Sequence, residues 1–273
     1  RSAMNYLHAY HAGNFADVVK HVALTAILLH LRKKETPFAV IDTHAGAGLY
    51  DLNSEAARTT GEAEGGIAAL RDLADGPSAL REYLRLAASR DAYPGSPLIA
   101  AQLLRPQDRL VAIEKHPEDA TRLKTNLAPF RKARMEEGDG YARLLALLPP
   151  PERRGLVLID PPYEAPDEFS AAARALREAY RRFATGIYLV WFPVKSQSAA
   201  DAFCGEVLAC GAVKALRIDI AIAGDADRLT RAGLLVLNDP YGFEDAMRES
   251  LAAITPRLGD GAAQNQIARL AGG

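Results

Sequence analysis

"PFAVIDTHAGAG", residues 37 to 48, joins a short apolar run to a turn carrying two glycines. The run meets no charged residue before Asp42, which predicts a strand buried on both faces, the pattern of a parallel sheet covered by helices. Glycine in the turn that follows lets the backbone bend sharply and approach a ligand closely, the use made of the first β-to-α turn in dinucleotide-type folds. Asp42 and Gly46 are therefore candidates for contact with a nucleoside ligand. A glycine-rich turn alone is a weak signal, so the rest of the chain decides.

Similar runs recur at 109 to 114 ("RLVAIE"), 155 to 160 ("GLVLID"), 186 to 192 ("GIYLVWF"), 215 to 222 ("ALRIDIAI") and 233 to 238 ("GLLVLN"). Between them lie stretches with helical spacing, among them 118 to 127, 168 to 183 and 199 to 210. A further helix is predicted over 14 to 34, with Asn14 as its cap. Buried strands alternating with helices imply an α/β fold, a mostly parallel doubly wound sheet. Residues 4 to 273 read as one domain, and Arg1-Ser2-Ala3 ahead of Met4 as a cloning remnant. The stretch after Pro256, "RLGDGAAQNQIARLAGG", reads as a loosely held tail.

The bulk composition narrows the function classes. Of 273 residues 49% are hydrophobic, enough for a large core, and 33 basic against 34 acidic side chains leave a net charge of −1. A nucleic-acid partner would have to be met by a local patch, not by the whole field. Two cysteines, Cys204 and Cys210, form no metal or redox spacing and fit a reducing compartment. No apolar stretch is long enough for a membrane span, and no signal peptide is visible. The expectation is a cytoplasmic monomer.

In a dinucleotide-type fold an acidic residue about 20 positions after the glycine turn ends the second strand and takes the ribose hydroxyls. Glu114 ends the next strand here but lies much further on. Residues 49 to 94 supply the surplus as an inserted small helical subdomain, displacing the next helix to "GSPLIAAQLL". There Ser96 is an N-cap candidate with Pro97 at the first helical position. Asp139, in "EEGDGY", is a further acid at the same sheet edge, although Gly-Asp-Gly is also a common turn.

The most chemical stretch is "IDPPYE", 159 to 164, at the end of a core strand. Asp160 and the carbonyl of Pro161 can accept hydrogen bonds from an aromatic exocyclic amine, aiming its lone pair at a sulfonium methyl and steadying the charge that develops. Proline fixes that carbonyl, and Tyr163 can stack on a base that is unpaired or flipped out.

"YHAGNFADVVKH" (10 to 21), "DTHAGAG" (42 to 48), "YPGSPLIA" (93 to 100), "DPPYE" (160 to 164) and "RRFATGIYLVWFPV" (181 to 194) together resemble the RlmJ/YhiR family, bacterial S-adenosylmethionine-dependent adenine-N6 methyltransferases of 23S ribosomal RNA. The resemblance runs from Tyr6 to Pro240. It implies a Rossmann-like methyltransferase with a helical insertion, and Asp160 as the catalytic acceptor. Around the S-adenosylmethionine cofactor it implies His21, His44, Ser96, Glu114, Asp139 and Gly140, with Tyr6 meeting the 23S ribosomal RNA. One departure is "NDPY", Asn238 to Tyr241, where the family pattern has Asn-Pro-Pro.

Blander readings stand beside these. "NDPY" is a turn more readily than a second catalytic loop. His8, His11, His21 and His44 invite a metal, but they form no closed ligand set and methyl transfer needs none. Arg122, Lys124, Arg131, Lys132 and Arg134, and again Arg174, Arg177, Arg181 and Arg182, fit solvated helix faces as well as phosphate contact. Trp191 and Phe192 default to the core. Rival functions are a DNA adenine methyltransferase, an idle nucleic-acid-binding protein serving the use of external DNA, and a nicotinamide oxidoreductase.

Overall fold

The computed structural model describes residues 11 to 224 and 228 to 271. Helix α1 (Phe15–Arg32) opens it, capped by Asn14, whose side chain accepts the Asp17 N–H at 2.9 Å. Nearly every α1 residue is buried, including the charged Asp17 and Lys20, because the helix packs against other helices as well as the sheet. Strands β1 (Ala39–Asp42) and β2 (Leu49–Asp51) follow, then α2 (Glu55–Thr60), a single 3₁₀ turn (Ile67–Leu70), α3 (Ser78–Leu86), β3 (Ala92–Pro94) and α4 (Ser96–Leu103). The chain continues through β4 (Arg109–Glu114), α5 (Pro117–Leu127), β5 (Ala133–Glu137), α6 (Gly140–Leu147), β6 (Gly155–Ile159), α7 (Glu168–Arg182) and β7 (Ile187–Pro193). Last come α8 (Gln197–Leu208), β8 (Ala215–Ala221), β9 (Arg231–Leu237), α9 (Phe243–Ile254) and β10 (Gln264–Ala271).

The main sheet has eight strands in the order β10-β8-β9-β7-β6-β1-β4-β5. From β5 to β7 the neighbours are parallel; β9 then runs antiparallel between β7 and β8. The doubly wound reading therefore holds. The chain steps outward from β1 to β4 and β5, then returns to the other side of β1 for β6 and β7. That reversal opens a crevice at the carboxyl ends of β1, β4 and β6. Strands β6 and β7 are buried along their whole length, as their uninterrupted apolar runs require. Each Val, Leu or Ile there stabilises the fold by about 1.5–3 kcal/mol on leaving water.

Within residues 49 to 94, β2 and β3 pair as a separate two-stranded ribbon that brackets α2, the 3₁₀ turn and α3. "GGIAALRDLA" thus yields one tight turn of helix, not a longer one.

The tail corrects an expectation. Residues 264 to 271 are not loosely held: β10 pairs antiparallel with β8 and closes the sheet edge. Its Arg269 reaches Asp239 at 2.9 Å and Glu244 at 2.6 Å, tying the strand to the loop before α9 and to α9 itself.

Candidate active site

A cavity of about 700 Å³ opens at the carboxyl edge of the sheet. Its floor is the turn after β1, held from both sides. The Thr43 N–H and hydroxyl both donate to the Leu158 carbonyl of β6, at 3.1 and 3.0 Å. On the other side the Ala45 N–H donates to Ile113 O at 2.9 Å and the Gly46 N–H to Glu114 Oε2 at 2.7 Å. Gly46 has φ +63°, and a Cβ on it would lie 2.1 Å from the Tyr50 hydroxyl, so the position requires glycine.

Glu114 lines the cavity and accepts a second amide, His116 N–H, at 2.7 Å. Each of its oxygens keeps a lone pair for a ligand hydroxyl. Asp139 caps α6, accepting the Tyr141 and Ala142 N–H groups at 3.1 Å, and also faces the cavity. Partial burial opposes its charge, but those amides and the Lys115 ammonium outweigh it and hold the carboxyl below its ordinary range. Gly140 follows, and a Cβ there would sit 2.0 Å from the Thr43 carbonyl.

Ser96 takes a different part from the one expected. Gly95 occupies the cap position of α4, and the Ser96 hydroxyl donates instead to Asp42 Oδ2 at 2.6 Å. Asp42 is buried beneath the cavity lining. Burial pushes its carboxyl up to about 7, and the hydrogen bond from Ser96 only partly opposes this. Because the folded state binds this proton more tightly than the unfolded chain does, the contribution to stability is full below about pH 4 and is lost as pH rises to 7. The size is on the order of 4 kcal/mol. Asp42→Asn carries no such proton. The gap in urea-unfolding free energy between wild type and this variant is therefore expected to move against the wild type from pH 4 to 7; a constant gap contradicts it.

The loop after β6 forms the facing wall, where Asp160, Pro162 and Glu164 meet the cavity. Asp160 Oδ2 accepts a short hydrogen bond from Lys20 Nζ, which α1 brings in, and the same ammonium donates to Asp17 Oδ1 at 2.8 Å. Burial disfavours the Lys20 ammonium, yet the two carboxylates more than offset it and raise its pKa. Oδ1 of Asp160 makes no hydrogen bond among the described residues.

Tyr163 departs from the stacking role expected of it. It is only 7% exposed, its hydroxyl donates to the Trp191 carbonyl at 2.9 Å, and its ring packs on Phe169 with centroids 4.5 Å apart. With φ +53° it turns inward and bolts the loop to β7. Pro161 is also buried. The ring presented to the cavity beside Asp160 is that of Pro162.

Residues 35–269 match the family model described as ribosomal RNA large subunit methyltransferase D, RlmJ. The chain belongs to the RlmJ family. It is 41% identical over 263 residues to ribosomal RNA large subunit methyltransferase J of Escherichia coli, an alignment covering 93% of this chain and 94% of that protein. The Haemophilus influenzae protein of the same name is 40% identical over 264 residues, with the same coverage. A crystal structure of a Legionella pneumophila protein superposes with a TM-score of 0.87 at 35% identity, covering 94% of this chain and 98% of that one.

Of the positions that the RlmJ resemblance singles out, His21, His44, Ser96, Glu114, Asp139, Gly140 and Asp160 all line one cavity. Tyr6 lies outside the described residues, as does His8. His44 is pushed down to about 4 by burial, so it is neutral at pH 7. Its neighbour Tyr141, edge-on at 4.9 Å, donates to Glu168 Oε1 at 2.6 Å and so links the starts of α6 and α7 across the cavity. Tyr141, Glu168 and Lys20 were not singled out in the sequence. "NDPY" is a turn at the other end of the sheet: β9 runs antiparallel, so its end lies away from the cavity, and Asn238 Nδ2 there binds the Ala184 and Gly186 carbonyls at 2.8 and 2.7 Å. Trp191 and Phe192 are buried. Among the described residues no helix is long and apolar enough to cross a membrane.

Proposed function

We propose that the protein moves a methyl group from S-adenosylmethionine to the exocyclic N6 amine of an adenine in 23S ribosomal RNA, acting in the cytoplasm as a monomer on free or partly assembled RNA. One observation carries this reading: Asp160 of the Asp-Pro-Pro-Tyr loop shares a cavity with the glycine turn, Glu114 and Asp139. Membership of the RlmJ family supports the ribosomal RNA class of substrate. The residues present fit the cofactor. Glu114 offers lone pairs to a ribose diol, and the Ser96 N–H at the amino end of α4 can donate to a carboxylate, the Gly95 N–H being held by the Gly48 carbonyl at 2.8 Å.

When bound, S-adenosylmethionine supplies a methyl group activated by its sulfonium. The protein's task is then to hold a weakly nucleophilic amine. Lys20 fixes Oδ2 of Asp160, and Oδ1 remains to accept an N–H of the adenine. The adjacent carbonyl of Pro161 can take the second N–H, which directs the nitrogen lone pair to the methyl and lowers the cost of the positive charge on nitrogen. A base can reach this depth only when unpaired or flipped.

The test is transfer of labelled methyl to total RNA lacking its own modification, with the product mapped by mass spectrometry. Label at N6 of an adenine in 23S RNA, with little on DNA of the same sequence, is the expected result. Equal or faster transfer to DNA overturns the RNA assignment, and transfer confined to mature subunits overturns the preference for free RNA.

A further inference from the structure

The basic run that begins midway along α5 takes no part in the site above. From Arg122 to Met135 the chain carries five basic residues and no acidic one, in a protein whose 33 basic and 34 acidic side chains nearly cancel. Among the described residues Arg122, Lys124, Arg131 and Lys132 make no ion pair. Arg134 has one, with Glu136 at 2.7 Å, but that carboxylate is shared with Arg143. The stretch therefore stays strongly positive.

Its shape sets it apart from an ordinary solvated helix face. A cleft of about 400 Å³ lies between the last turn of α5 and the start of β5. Leu127, Phe130 and Met135 give it an apolar lining, and Lys124, Arg131 and Arg134, all exposed, stand around it. Lys124 reaches the cleft because it lies three residues before Leu127, on the same side of the helix. Arg122, two residues further back, does not line it. Three cations held around one hollow without matching acids repel one another, and a polyanion relieves that repulsion. Strand β5 is the last of the sheet on this side, so a long ligand can lie along the flank with no further strand in its way.

Two elements join this cleft to the catalytic cavity. Helix α5 starts at the cavity with Pro117 and ends at the cleft with Leu127, while β5 starts at the cleft with Ala133 and leads to Asp139 in the cavity. At about 3.3 Å per residue the two sites lie roughly 20 Å apart. That is too far for the base being methylated and within reach of the strand that flanks it. We propose that the cleft is a second contact for the RNA, in which phosphates of nucleotides flanking the target sit on Lys124, Arg131 and Arg134 while the target base enters the cavity. This rests on the RNA substrate proposed above. Phosphates of DNA offer the same chemistry, and the test separates the two.

The triple variant Lys124→Ala/Arg131→Ala/Arg134→Ala is compared with wild type and with Arg122→Ala on 23S RNA transcribed in vitro, by filter binding across about 50 to 200 mM salt and by steady-state methyl transfer. For the triple variant the expected results are RNA affinity lower by about 10- to 100-fold and a slope of log affinity against log salt smaller by about 2 to 3. KM for RNA is expected to rise in step, with kcat at saturating RNA and S-adenosylmethionine affinity within about twofold of wild type; a merely misfolded enzyme loses kcat as well. Arg122→Ala is expected to leave the slope unchanged. An unchanged slope and KM in the triple variant overturn the proposal and leave the cations as a solvated face. An equal loss per charge removed at Arg122 also overturns it, because it marks a diffuse field and not a cleft. Wild-type transfer to DNA in place of RNA overturns the function proposed above, and the cleft then stands or falls by the same slope measured on that DNA.

Discussion

Asp160→Ala is expected to lower methyl transfer by roughly 10²–10³-fold or more while S-adenosylmethionine affinity stays within about threefold of wild type. The magnitude is that of removing one preorganised electrostatic partner from a developing charge. Affinity is spared because the residues suited to the cofactor, Glu114 and Ser96, sit on other elements of the cavity. Asparagine at 160 is not expected to rescue transfer. Lys20 has only donors to offer, so the amide oxygen of an asparagine turns to it and leaves the NH₂ facing the substrate amine. Single-turnover transfer with saturating cofactor checks this, with calorimetry for binding and thermal melting as a control for folding. An idle nucleic-acid-binding protein makes the opposite forecast, since its biological effect survives Asp160→Ala. Retained transfer in both variants would sink the catalytic assignment.

The sheet was legible because burial on both faces writes itself as uninterrupted apolar runs, as at "GLVLID" and "GIYLVWF". Strand β10 was not legible for the same reason. It is an edge strand with only one neighbour, its residues Gln264, Asn265 and Gln266 are exposed, and neither alternation nor an apolar run marks it. Its order comes from pairing with β8 and from Arg269, contacts far apart in sequence. The acids at the sheet edge could be read because strand ends locate them. Side-chain direction could not, and so Tyr163, plausible as a platform, proved to be buried against Phe169 and Trp191. Lys20 was hidden differently. It sits three residues after Asp17 in the mostly apolar first half of α1, a sign that both charges are inside, but its partner Asp160 lies on a strand end far along the chain.

Lys20→Met is expected to cost about 3–5 kcal/mol of unfolding free energy, because it leaves the carboxylates of Asp17 and Asp160 close together without their cation. Two carboxylates forced to share a buried site hold a proton more tightly. The variant's residual transfer should therefore be low at pH 7 and recover as pH rises, a shift of the profile that simple misfolding does not produce. Adding Asp17→Asn removes one of the two charges, so the double variant should regain part of the lost stability; the coupling between contacting positions makes the pair non-additive. The asparagine at 17 can still accept the Gly13 N–H that now binds Asp17 Oδ2 at 3.0 Å, so the start of α1 is not sacrificed in the comparison. Urea unfolding of Lys20→Met, Asp17→Asn and the double variant, and transfer measured from pH 6 to 9, are the readouts. If Lys20→Met loses under about 1 kcal/mol and its pH profile matches wild type, the ammonium is a bystander, and Asp160 must be held for catalysis by something other than α1.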